Sequence, residues 1–463
     1  MGLSVRRRNY YMDFSGKTIR VRRQEPVLVR PAGETFNGLF LLSNLDQTFP
    51  RPIEVLLAFK TSKENAPQIL KDSLAKVLVE FYPIAGCLAR GWDDKILVRC
   101  TGEGVPFVEA VSDNQLDDVG DITILVEEKL RNFVCCMQDG VEDNILDVPL
   151  LQVQEKLSKH AINLILERVV YAVTTFKCGG MILGITASHV IADGRAFMNF
   201  MVSWAEVARS NPISLLPVLD RSLLSPRQPP KVFFPHHEYE TKPRKKQSSP
   251  RDQDQEPYMY RSFCFTPEKL KQLKKMATDD QFRGPATSFE VIMALAWIFQ
   301  TKGYKFKPNE TTKLLIAVDG RPKFGPSFPE GFFGNAIGWA CAQSKAGELL
   351  KKPFPAVVKM VHDAPKVVTE AHIRSAIDLY EVKRAELESE NSYCASKWSK
   401  LAFYDSNFGW GHPSQVAPAS LGNEFMVTLA QGKDSQNIIL SLGLPQSAME
   451  IFEELMLMEL QRI

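Results

Sequence analysis

The apolar positions along the chain change period several times, and each change predicts an element. Between Glu64 and Phe81, residues Ile69, Leu74, Val77 and Leu78 fall near one face at helical spacing, and Tyr82-Pro83-Ile84-Ala85-Gly86 then breaks the helix. Lys95 to Arg99 and Val105 to Val108 read as short strands. Ala172 to Phe176 is β-rich, Cys178-Gly179-Gly180 supplies a turn, and Met181 to Ala187 is a second apolar run, so this stretch predicts a hairpin. Its second strand delivers His189 at its end. Past Gly194 the period turns helical again, with Phe197, Phe200, Met201, Trp204, Val207 and Ala208 on one face.

Three stretches lack such a regular pattern. Residues 1–17 read as a loosely held tail, and Thr18 to Ser43 mixes β-prone residues with Pro and Gly, as strand and loop do. Residues 225–258 are Pro-rich, polar and charged, and predict an exposed, mobile linker with little to bury. That linker divides the chain into residues 1–224 and 259–463. A new β/α pattern follows it. Tyr260 to Phe265 reads as a strand, Thr266 as a helix N-cap and Pro267 as the first helical residue. Strands recur at Lys313–Val318 and Asn437–Gly443, and Ser447 to Leu460 is a strongly periodic helix. Strands and helices in both halves predict two α/β domains with a site between them.

Composition narrows the class. The 463 residues are 44% hydrophobic and 24% charged, with a net charge of +2, so a folded protein with sizeable cores is expected and nucleic acid is not its partner. Eight Cys include no CxxC pair, which fits free, buried thiols such as Cys264 and Cys341 in a reducing compartment. No apolar run approaches the ~20 residues of a membrane span. Arg6-Arg7-Arg8 precedes no apolar segment, and Arg6 breaks the myristoylation pattern that Gly2 opens. A cytoplasmic, monomeric enzyme is the expectation.

Candidate chemistry centres on Ser188-His189-Val190-Ile191-Ala192-Asp193-Gly194. A histidine at a strand end, before a turn and a helix start, is held rigidly where a ligand can reach, and it can accept a proton near neutral pH. Asp193 could orient His189 or fix the turn. On spacing alone, a structural His–Asp pair fits equally well. There is no G-x-S-x-G elbow and no cysteine with a nucleophile signature, so a covalent acyl-enzyme lacks a candidate. No P-loop, G-x-G-x-x-G or metal-ligand spacing occurs, and His236-His237 in the polar linker read as solvated. Two further strings stand out. Asn407-Phe408-Gly409-Trp410-Gly411 predicts a tight loop under an aromatic ring, and Asp319 and Arg321, at a strand end, predict a structural ion pair.

These three strings, in this order, resemble the BAHD family of plant acyltransferases. His189-x-x-x-Asp193-Gly194 resembles its catalytic motif, the Asn407 string its Asp-Phe-Gly-Trp-Gly motif, and Val318-Asp319-x-Arg321 a segment between them. The likeness runs from about Gln24 to the C-terminus. Within the family, Leu42 to Gln47, Phe333-Gly334-Asn335 and Ser375 to Glu381 are most similar to members that feruloylate ω-hydroxy fatty acids. The resemblance implies two chloramphenicol-acetyltransferase-like domains, mixed sheets flanked by helices, and a channel between them. It implies transfer of a hydroxycinnamoyl group from CoA to an ω-hydroxy fatty acid or fatty alcohol, with His189 as general base. Acyl-CoA is then a co-substrate, and no cofactor or metal is needed. Shikimate, quinate or a polyamine is the alternative acceptor, and a catalytically inactive binding protein the alternative class. Asp193 would pair with Arg321 and be architectural. Ser396 and Trp398 would lie near the tetrahedral intermediate, and Thr287 and Ser288 near the CoA channel.

The chain departs from the family pattern in places. Asn407 replaces an Asp, keeping size and hydrogen bonding but not charge. Ser188 replaces a frequent second His. Lys400 stands where an Arg serves an acceptor carboxylate in shikimate-type members, and it lacks the bidentate fork. Between Gln154 and Tyr171 an extra segment with amphipathic helical spacing intervenes before the catalytic strand.

Overall fold

The hairpin that carries His189 forms as its pattern predicts. Val170–Phe176 and Met181–Ser188 pair antiparallel, with Tyr171 opposite Ile185. The Phe176 N–H donates to the Gly180 carbonyl at 2.9 Å, and Gly179 takes φ +80°, which a side chain would resist. The computed structural model describes residues 18–91, 93–134, 170–240, 256–278, 285–387, 391–423 and 425–463. The extra segment lies outside these, apart from Val170 and Tyr171, which open the strand.

This hairpin sits inside a seven-stranded mixed sheet. Met181–Ser188 lies between Val170–Phe176 and Pro52–Phe59, and is buried along almost its whole length. That explains its continuous apolar run, because an interior strand covered on both faces has no solvated side to alternate with. Helices Ala66–Glu80 and Gly194–Ala208 pack together beside the sheet. Trp204 is fully buried between them and donates Nε1–H to Ser73 Oγ at 3.0 Å.

A second mixed sheet of six strands occupies the other half. Its order is Tyr258–Phe265, Ile438–Pro445, Phe425–Ala430, Ser392–Lys397, Thr311–Asp319 and Ile337–Lys345. Thr266 caps the helix Pro267–Met276 as predicted, accepting from the Lys269 N–H. Helices Ser288–Gly303 and Gln446–Arg462 bury Trp297 and Phe452 in the core on this sheet. Between the sheets lies a third apolar cluster, with Leu56 and Ile182 from the first sheet meeting Leu429 and Ile439 of the second.

Two expectations need correction. The first concerns the sequence halves, which exchange a strand. Gln415–Pro418 pairs with Pro52–Phe59 and forms an edge of the first sheet. The second concerns residues 225–240, expected as part of an exposed linker with little to bury: about half of them are exposed, but the run is anchored. His236, Glu238 and Tyr239 are buried, and Tyr239 pairs with Leu387 as a short strand. Hydrogen bonds and ion pairs hold most of this run, and only Tyr239 joins an apolar cluster, with Leu315, Trp339 and Leu379, so its polar composition concealed its packing. Residues 241–255 lie outside the described part. The six described cysteines divide more evenly than expected: Cys87, Cys100 and Cys394 are buried, Cys264 and Cys341 half-buried and Cys178 exposed, with no disulfide among the described residues. Among the described residues, no helix is long and apolar enough to cross a membrane.

Candidate active site

His189 follows the interior strand, and its N–H donates to the Arg51 carbonyl at 3.0 Å. Its ring is gripped from the other half of the molecule. Nδ1 lies 2.9 Å from Asn335 Oδ1. The Asn335 amide nitrogen donates to the His189 carbonyl at 2.7 Å and to Asp46 Oδ1 at 2.9 Å. Those two acceptors fix which way the amide faces, so its oxygen must meet an Nδ1–H. Nε2 is therefore the unprotonated nitrogen, as a general base requires. Burial holds the His189 pKa below its ordinary value, against the opposing pull of Asp193, its own backbone, Asn335 and Asp46. The neutral, proton-accepting form thus prevails at neutral pH.

Asp46 anchors this arrangement. It is buried in the short helix Asn44–Gln47, which Ser43 caps. Its Oδ1 also accepts the Asn335 N–H at 2.8 Å, and its Oδ2 pairs with Arg221 Nε at 2.9 Å. Arg221 donates in turn to the Ile191 carbonyl at 3.0 Å and to the Phe333 carbonyl. A side chain at Gly334 would collide with the Arg221 guanidinium, its Cβ falling 2.5 Å from Cζ. Composition gave no hint of Asn335, Asp46 or Arg221. The only available signal was the resemblance carried by Leu42–Gln47 and Phe333–Asn335.

Asp193 gives both carboxylate oxygens to partners other than His189. Oδ1 caps the helix Gly194–Ala208, accepting the Ala196 N–H at 3.0 Å. Both oxygens meet Arg321, at 2.9 and 3.1 Å, and Oδ2 also accepts the Ala336 N–H at 2.9 Å. Burial alone would raise its pKa, but Arg321 and the two backbone donors keep the carboxylate below its ordinary range. Arg321 further bonds Asp319 at 3.1 Å, and Asp319 pairs with Arg195 at 2.8 Å. The ion pair expected of Asp319 and Arg321 is thus part of a bridge between the halves.

Other expected site residues fall in two places. Ser396 is the penultimate residue of the strand Ser392–Lys397, and Trp398 packs on both the core beside the first sheet and the cluster between the sheets. The following Leu401 lies against the start of the helix after Asp193, 2.9 Å from where a Gly194 Cβ would stand. Thr287 caps the helix Ser288–Gly303 through Glu290. Ser288 lines a pocket of about 360 Å³ with Lys271, Lys274 and Ile438. Exposed Lys400 and half-buried Lys397 stand close by, since Lys397 lies over the Phe289 ring and burial and then Lys400 depress its pKa. Aromatic rings flank His189 on another side. Phe49 meets its ring edge-on at 5.2 Å and contacts Trp339 and Phe425 at 6.4 and 5.1 Å.

Asn407 to Gly411 lies elsewhere. The Asn407 carbonyl accepts from Arg209, at the far end of the helix that Asp193 caps. A helix of 15 residues is roughly 22 Å long, so the loop stands well away from His189. Asn407 Oδ1 accepts the N–H groups of Gly409 and Gly411 at 3.0 and 3.1 Å, and both glycines have positive φ. Phe408 packs on Trp204 at 5.0 Å, and Trp410 on Phe59 at 6.3 Å. One oxygen satisfies both donors, so Asn serves this turn without the charge of Asp.

The comparisons with known proteins agree with this geometry. The model of the Transferase family matches residues 19–458. The chain is 40% identical over 443 residues to an omega-hydroxypalmitate O-feruloyl transferase of Arabidopsis thaliana, covering 94% of this chain and 92% of that one. It is 38% identical to a fatty alcohol:caffeoyl-CoA acyltransferase of the same organism, over 94% of this chain and 98% of that one. Its fold is similar to that of vinorine synthase, with a TM-score of 0.69 at 22% identity, over 93% of this chain and 96% of that one. The chain therefore belongs to the BAHD Transferase family and is an acyl-CoA-dependent acyltransferase.

Proposed function

We propose that the enzyme moves a hydroxycinnamoyl group, of the feruloyl type, from CoA to the terminal hydroxyl of an ω-hydroxy fatty acid or a fatty alcohol. The observation that carries this reading is the identity of 40% and 38% to two enzymes of those acceptor classes, over nearly full length. A shikimate O-hydroxycinnamoyltransferase of Nicotiana tabacum is more distant, at 30% identity.

In the proposed mechanism, Nε2 of His189 takes the acceptor hydroxyl proton as the oxygen attacks the thioester carbonyl. The tetrahedral intermediate collapses, the C–S bond breaks, and the CoA sulfur leaves with the proton held by the imidazole. No covalent acyl-enzyme forms. Asn335 orients the base, while Asp193 and Arg321 hold the turn. Ser396 and Trp398 are assigned to the neighbourhood of the reacting carbonyl. Lys271, Lys274 and Ser288 are assigned to the CoA phosphates, supported by their shared pocket and the helix N-terminus beside it. Lys400 adds to that basic region. The rings of Phe49, Trp339 and Phe425 support an aromatic or apolar substrate beside His189. A reducing, cytoplasmic setting suits the six described cysteines, none of which is in a disulfide.

The test is CoA release by purified protein from feruloyl-CoA with 16-hydroxypalmitate, a long-chain alcohol, shikimate or spermidine. Turnover with either of the first two, at least about 10-fold above the others in kcat/KM, is expected. A preference for shikimate or spermidine would overturn the acceptor assignment. No turnover with any acceptor would favour a binding protein.

A further inference from the structure

A second buried cluster of chemically active side chains lies outside the site just described. Residues 225–240 form a strap along the helix Glu370–Lys383. Asp378 accepts from the Arg227 N–H at 2.9 Å, from Arg227 Nε at 2.7 Å and from the Lys231 N–H at 2.7 Å. Ser375 Oγ accepts the Phe233 N–H at 2.9 Å. The strap then turns at His236, whose backbone takes the left-handed value φ +47°, uncommon for a residue with a side chain. The turn sends the His236 ring inward while His237 stays exposed.

His236, Glu238 and His372 are 2%, 3% and 4% exposed. Glu238 Oε1 lies 2.7 Å from His236 Nδ1 and 3.3 Å from His372 Nε2. One donor atom from each residue fits within a 4.8 Å span. Among the described residues, those two imidazoles are the only ion-pair partners of Glu238. A carboxylate so deeply buried needs a positive charge beside it. Two imidazoles and one carboxylate, converging from two elements, are a donor set suited to zinc. The surroundings match as well. Ser375 Oγ sits 2.8 Å from His236 Nε2, so the ring nitrogen facing away from the cluster is held by a hydroxyl, as metal-bound imidazoles commonly are. His372 turns Nε2 toward Glu238, while its Nδ1 is buried with no hydrogen-bond partner among the described residues, so no protein acceptor fixes the ring's tautomer and Nε2 can present its lone pair to an ion.

We infer that His236, Glu238 and His372 bind one divalent cation of the zinc type, with water completing the coordination, and that the ion fastens the strap to the second half of the molecule. Binding displaces the ring protons that otherwise face Glu238, so affinity falls as pH falls. The site is structural and separate from acyl transfer.

The experiment uses the full chain, stripped of metal with a chelator and then titrated with Zn²⁺ by calorimetry. Co²⁺ serves as a spectroscopic probe of the same site. The expected result is about one equivalent per chain and a Co²⁺ spectrum of low coordination number. Glu238→Gln and His372→Gln should each weaken binding at least about 10-fold, and His237→Gln should leave it unchanged. Wild-type protein that shows no site tighter than about 1 mM overturns the inference. So does binding that survives both Glu238→Gln and His372→Gln. Should either variant fail to fold, the wild-type stoichiometry and Co²⁺ spectrum decide alone.

Discussion

The two ends of the helix Gly194–Ala208 carry two family motifs, and they are built in opposite ways. At its N-terminus, the turn from His189 to Asp193 is held by Asn335 and Arg321, 146 and 128 residues away in sequence. At its C-terminus, the Asn407 loop satisfies its key side chain with N–H groups two and four residues away. The first turn lies on the seam between the halves and draws its polar partners from both. The second is a local fold that packs onto finished surfaces. A motif whose polar atoms need distant partners can be tuned for chemistry, whereas one closed on itself supplies shape.

Breaking the long-range turn should have the largest effect. Asp193→Ala leaves Arg321 buried beside the partly exposed Asp319, and should cost about 3–5 kcal/mol in denaturant unfolding. A loss under about 1 kcal/mol would show that Asp193 does not bridge the halves. Asn335→Ala should keep the fold but lower kcat/KM about 10- to 100-fold, because the Nδ1–H loses its acceptor and the tautomer is no longer fixed. The pH profile sharpens this. Burial lowers the His189 pKa, so the acidic limb of wild-type kcat/KM should fall below the ordinary value of 6.5. The bond to Asn335 favours the charged ring, so its removal should move the limb to still lower pH. An unmoved limb would assign Asn335 to structure alone. Asn407→Ala should have the smallest effect, about 1 kcal/mol of stability with kcat per folded molecule unchanged. A large drop in kcat there would erase the contrast between the two ends.

Much of the fold was legible because local pattern and final packing agreed. The hairpin at 170–188, the capped helix at Thr266 and the terminal helix all follow from period and capping chemistry. The strap at 225–240 was not legible, since His236, Glu238 and Arg227 are held by polar partners on a helix over 130 residues further along. Nor was the exchange of Gln415–Pro418 into the first sheet, because four residues carry no signal of which sheet they join. At the site, spacing made His189 no more than a candidate, and only the family resemblance implied a general base. Its tautomer depends on Asn335 and Asp46, and no spacing rule connects positions so far apart. The pairing of Asp193 with Arg321 came from resemblance, and the geometry then supplied its physical reason.

The central claim is that neutral His189 takes the acceptor proton. Its most direct test is kcat/KM for CoA release by His189→Ala, alongside wild type, with an acceptor that the wild-type enzyme uses and with folding verified by circular dichroism. A fall of about 10²- to 10⁴-fold in a folded protein is predicted. Activity within about threefold of wild type would contradict the account, because a general base cannot be removed at so little cost.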